Sequence, residues 1–115
     1  MRCLLKVSIP TEIGNDCIVD GSLARTIESI LNDLSPEAAY FAEEHGARTG
    51  FIVCNVKDES DIPAIAEPWF LAFNARVEFH PAMTLADLKK AAPGFEKAIR
   101  KYDSSEEFMG EFRFR

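Results

Sequence analysis

Residues 3–9, CLLKVSI, place apolar Cys3, Leu5, Val7 and Ile9 at every second position, with Leu4, Lys6 and Ser8 between them. Strand side chains alternate between two faces, so this period of two predicts a strand with one face in a core. Pro10 ends it, having no amide to continue a ladder. The segment TEIGNDCIVDG that follows holds Gly14, Asn15, Asp16 and Gly21, residues that favour turns, and it reads as a loop.

The period then changes. Leu23, Ile27, Ile30, Leu31 and Leu34 recur at three and four, which predicts a helix from Ser22 closed by Ser35-Pro36. AAYFAEE and GFIVCNV are rich in aromatic and branched residues and flank His45-Gly46-Ala47-Arg48, so they read as a hairpin that contains Gly46 and Gly50. Within it, Glu44 is expected opposite Ala47 and Tyr40 opposite Phe51. Ile62, Ile65, Ala66, Trp69 and Phe73 predict a second helix, with Ser60 or Asp61 as its cap and Pro63 in its first turn. Pro68 predicts a kink in that helix or a break. Val77 and Phe79 alternate with Arg76, Glu78 and His80 in a fourth strand that ends at Pro81. Thr84 and Asp87 have capping-box spacing for a third helix, interrupted at Pro93-Gly94 before Phe95, Ala98, Ile99 and Tyr102 resume it.

Strand, helix, strand, strand, helix, strand is the split βαβ order, so the expected fold class is α+β, ferredoxin-like βαββαβ. It has a four-stranded antiparallel sheet and its helices on one face. The 115 residues suffice for one domain, expected over 1–102 with the C-terminal helix included. Residues 103–115 form a tail, either frayed or adding an edge strand through FRFR. Thirteen Lys and Arg against nineteen Asp and Glu give a net charge of -6, which argues against a phosphate backbone as partner. Cys3, Cys17 and Cys54 are too few and too scattered for a disulfide framework or a metal site, and fit a reducing cytoplasm. The chain has neither a signal-peptide pattern nor an apolar run of the roughly 20 residues that span a bilayer, so no membrane partner is expected.

Such a sheet has a second face without helices. Alternation sends Leu4, Lys6, Ser8, Tyr40, Phe51, Val53, Asn55, Glu78 and His80 there, a mixture of core-like and polar residues. A second copy packed against it would bury the apolar members and enclose the polar ones.

CLLKVSIP, RTGFIVCNVKD, IPAIAEPWFLAFNA and VEFHPAMT, in this order of elements, resemble the dimeric α+β barrel superfamily over residues 1–92, and more narrowly one of its uncharacterised bacterial families. The superfamily includes muconolactone isomerase-like proteins, stress-responsive barrel proteins, cofactor-free monooxygenases and haem-degrading members. The resemblance implies the fold and a homodimer through the sheet face. With no catalytic signature common to the superfamily, it implies no named reaction and no cofactor.

His80 is the candidate proton carrier, with Glu78 on the same strand face to influence its charge or orientation. Lys6 neighbours Glu78 in this topology, and an ion pair between them is expected. Lys6, Tyr40 and Asn55 are the candidate ligand-binding residues. Trp69, and Tyr40 in a blander role, read as packing residues with satisfied polar tips. Glu43-Glu44-His45 cannot converge on a metal, because neighbours on a strand point to opposite faces, and no metal site is expected. No Gly-rich loop precedes a helix, so nucleotide binding has no support. The leading functional expectation is a small dimeric protein that holds an aromatic or carbonyl-containing molecule in its barrel cavity. Proton transfer, isomerisation or cofactor-free oxidation are its enzymatic variants. The alternative is a non-enzymatic interaction module.

Overall fold

A computed structural model describes residues 1–103 of the chain. They fall into two compact units, Met1–Ala82 and a second that begins at Met83. The first contains β1 (Arg2–Ile9), α1 (Thr11–Val19), α2 (Leu23–Leu34), β2 (Ala38–Glu44), β3 (Ala47–Asn55), α3 (Ile62–Phe73) and β4 (Arg76–Pro81). The second contains α4 (Leu85–Lys90) and α5 (Ala92–Tyr102). The alternatives considered for 103–115, a frayed tail or an added edge strand, lie outside the described residues beyond Asp103.

The sheet has the order β2-β3-β1-β4 with every pair antiparallel, which is the ferredoxin-like arrangement. β1 is bonded on both sides, and its alternation is complete: Cys3, Leu5, Val7 and Ile9 are buried while the residues between them are half-buried. Ile52, Cys54 and Val56 share the buried side, joined by Ile65, Trp69 and Phe73 of α3 and by Ile30 of α2. The hairpin register places Glu44 opposite Ala47 and Tyr40 opposite Phe51, as alternation requires. His45 and Gly46 both have positive φ, at 53° and 78°, which a two-residue type I′ turn demands at both centres.

Three local expectations need correction. TEIGNDCIVDG is a helix over Thr11–Val19 rather than a loop. Its poor helix formers are outweighed by tertiary contacts, since Ile13 and Cys17, four apart on one face, pack on the core. Pro68 does not break α3, which runs from Ile62 to Phe73. Proline removes one amide donor, but Ile65 and Ala66 before it and Trp69 and Phe73 after it are all buried, so packing on both sides carries the helix through. Asp61 stands at the N-cap of α3 as expected, without a side-chain bond to the helix; the side chain that caps is Asp58, whose carboxylate accepts from the Ser60 amide in a short 3₁₀ turn over Glu59–Asp61 that leads into α3. In the second unit Thr84 and Asp87 form the expected capping box. The interruption falls at Ala91, and Pro93 sits in the first turn of α5.

Cys3 and Cys54 are directly opposed across β1 and β3, and both are buried. Burial pushes both thiols above their ordinary value of 9.0, and Cys3 beside Cys54 adds to the rise at Cys54. The folded protein therefore keeps thiol protons that the unfolded chain releases, and this contribution to stability declines as pH rises past about 9. Urea midpoints measured from pH 7 to 10.5 are expected to fall more steeply above pH 9 in the parent protein than in the Cys3→Ala, Cys54→Ala double variant.

Candidate functional site

The residues singled out from sequence share the sheet face that carries no helix of the first unit. Tyr40, Phe51, Lys6 and Glu78 form one cross-strand row through all four strands. Tyr40 and Glu78 stand on opposite edges of it, three strand spacings or about 14 Å apart, so the row does not close around one small molecule. Glu78 Oε1 and His80 Nε2 are 3.3 Å apart, with both side chains about half exposed. Asn55 lies four residues along β3 from Phe51, and its Oδ1 accepts from the Met1 amine at 2.9 Å.

Lys6 is not paired with Glu78. Its ammonium reaches across β3 to Glu44 on the opposite edge strand and forms its ion pair there. Contact with Glu44 pushes the Lys6 pKa up, and the charge of Glu78 adds to the rise. Lys6 is thereby held as an ammonium, suited to attracting an anion and unsuited to acting as a base or amine nucleophile. Tyr40, with 72% of its surface exposed, is not a packing residue of this unit.

The other side of the sheet holds a different kind of site. A cavity of about 360 Å³ opens between α2 and the β2–β3 hairpin. Val7, Ile9, Leu23, Ala24 and Ile27 line it, with Phe41, Ala42, Gly50 and Trp69. The polar members of its wall are Glu43, Arg48 and Thr49. Its size and largely apolar lining match those of small-molecule sites. Gly50 contributes by having no side chain: a Cβ there would come within 3.1 Å of the Phe41 ring.

The polar groups of this wall are mostly committed. Thr49 Oγ1 donates to the Ala47 carbonyl at 3.0 Å. Arg48 stands opposite Glu43 in the register but turns to α1, where Nη2 donates to Asn15 Oδ1 at 3.0 Å and Nη1 to the Thr11 carbonyl at 3.5 Å. It lies over Gly14, where a side chain would collide with the guanidinium. Among the described residues, Trp69 and Glu43 are not so committed. Only 1% exposed and tilted against Phe73 with ring centroids 6.2 Å apart, Trp69 has an Nε1–H with no acceptor among the described residues. The expectation of a satisfied indole is therefore corrected, because α3 packs the ring into the apolar core against Phe73, with no acceptor among the described residues.

A second hollow of about 360 Å³ lies between α2 and α3, lined by Asp33, Asn55, Lys57 and Asp61 beside Ile30, Ile65 and Pro68. Two of its polar groups, Asn55 and Asp61, are already hydrogen-bonded within the chain. Among the described residues no three His, Cys, Asp or Glu side chains gather closely enough to hold a metal ion. None of the described helices is long and apolar enough to cross a membrane.

Sequence reasoning overlooked the helix-side cavity. One signal for it was present: a glycine inside a strand, here Gly50, often marks close approach by a ring or a ligand. Residues 37–96, more than half of the chain, match the family described as Domain of unknown function (DUF3303), and this stretch includes β2, β3, α3 and β4. No curated protein matches the chain.

Arg48 is the link between the cavity wall and α1, and Arg48→Ala removes both of its hydrogen bonds. Amide exchange within Thr11–Val19 is expected to accelerate about fivefold, as the loss of roughly 1 kcal/mol of local stability implies, with α2 unchanged. Mass-detected hydrogen exchange on the parent and the variant checks this.

Proposed function

The chain belongs to the DUF3303 family, and we propose that it binds a small, mainly apolar organic molecule in the cavity between α2 and the β2–β3 hairpin. The observation that carries this reading is an apolar hollow of about 360 Å³ walled by Val7, Ile9, Ile27, Phe41 and Trp69, a size and lining that suit a small organic molecule. The reading is one of binding: the lining is chiefly apolar, and the Glu78–His80 pair lies across the sheet from it.

The molecule is further proposed to work as a homodimer joined through the sheet face that carries no helix of the first unit, as in the dimeric α+β barrel superfamily. Leu4 is opposite Val53 and Tyr40 is opposite Phe51, so the apolar members of that face are contiguous across three strands. Covering them with a second copy would remove an apolar patch from water and shield the Lys6–Glu44 pair. Any proton-transfer role of His80 and Glu78 would belong to this interface and its rim.

Ligand binding is tested with tetralin, a bicyclic hydrocarbon small enough for the cavity. At a free concentration ten times its Kd, tetralin is expected to raise the thermal midpoint by about 6 °C. Ala24→Phe, which fills the cavity from α2, is expected to abolish that rise. Absence of saturable binding up to the solubility limit would refute the reading. Sedimentation equilibrium tests the assembly: the parent protein is expected at twice the chain mass and Phe51→Glu at the chain mass, and a monomeric parent at high concentration would refute the dimer.

A further inference from the structure

Resting on the ligand-binding reading, we infer that Phe41 sets the length of molecule the site accepts: its ring divides one groove along α2 and confines the ligand to a compact, ring-sized molecule. Beside the cavity lies a further hollow of about 440 Å³, lined by Ala24, Ile27, Glu28, Leu31, Asn32 and Phe41. Ala24, Ile27 and Phe41 line both. The first two belong to α2, which is common to the two hollows, so Phe41 is the side chain that the hairpin contributes to both.

The position of that ring follows from its neighbour. Phe41 stands opposite Gly50 in the hairpin register, and because Gly50 has no Cβ the ring lies close over the β3 backbone. Phe41 is 52% exposed and is not part of the buried core, so cutting it back is expected to leave the fold intact. With the ring gone, the joined groove extends from Leu23 to Asn32, roughly 14 Å along α2 at the helical rise. Glu28 and Asn32 give its far end polar groups, so an elongated molecule with an apolar body and a hydroxyl tip fits it. In the parent protein the ring stands in the path of such a molecule, and a steric wall of this kind rejects by shape.

Tetralin and 6-phenyl-1-hexanol, each with one benzene ring, probe the two lengths by calorimetry on the full chain. The parent protein is expected to bind tetralin about tenfold more tightly, since the alcohol leaves two or three methylenes in water. Phe41→Ala is expected to reverse the order by about as much, because those methylenes then enter the groove. Adding Asn32→Trp to Phe41→Ala, which fills the far end from an exposed position, is expected to restore the preference for tetralin. An unchanged ratio of the two affinities in Phe41→Ala, or a parent protein that prefers the alcohol, would overturn this inference while leaving the cavity as a binding site. Saturable binding of neither compound to the parent protein would overturn both readings. Should Phe41→Ala fail to fold, Phe41→Leu, which lowers the wall without removing it, decides by the same ratio: a fall supports the inference and an unchanged value overturns it.

Discussion

β1 is the constraint on which the first unit rests. It is the strand bonded on both sides that also carries a strict alternation, so the fate of each of its residues fixes a face for the strands beside it. A shift of one residue would turn Cys3, Leu5, Val7 and Ile9 out of the core and put Lys6 and Ser8 into it. Burying each of the larger apolar side chains is worth about 1.5–3 kcal/mol, so such a slip is prohibitive and the register is unique. The helix-side core, the row Tyr40–Phe51–Lys6–Glu78 and the position of Gly50 opposite Val7 all follow from that register.

The two sides of the sheet consequently differ in character. On the helix side the most apolar space lies where α2 meets the hairpin, and a second, more polar hollow lies between α2 and α3. On the other side charges are plentiful but spread over four strands, and Lys6 is drawn to Glu44 at one edge while Glu78 turns to His80 at the other. A face organised in this way suits an extended contact better than a compact reaction centre.

Most of the architecture could be read from the order of residues because the strands, α2 and α3 carry strong periods. Tyr40 opposite Phe51 and the Thr84–Asp87 box followed from alternation and spacing alone. α1 could not be read, since its Gly14, Asn15 and Asp16 favour turns and its helix depends on Ile13 and Cys17 meeting a core assembled from distant strands. Pro68 misled for the same reason: the buried neighbours that sustain α3 across it lie on the sheet. The Lys6 partner was missed because chain order brings Lys6 beside Glu78 but says nothing of how far a lysine can lean. The cavity was hidden because it exists only as the gap between α2, Phe41 and the missing side chain of Gly50.

Trp69 belongs at once to the core formed with Leu5, Ile52 and Phe73 and to the wall of the cavity. An exchange of that ring for another side chain would alter the cohesion of the core and the shape of the hollow together. Variation that reshapes the hollow has a freer path along Ala24, Ile27 and Phe41, which are less buried than Trp69. In descendants of this chain, change should therefore begin at the rim, with the indole held fixed by the demands of folding.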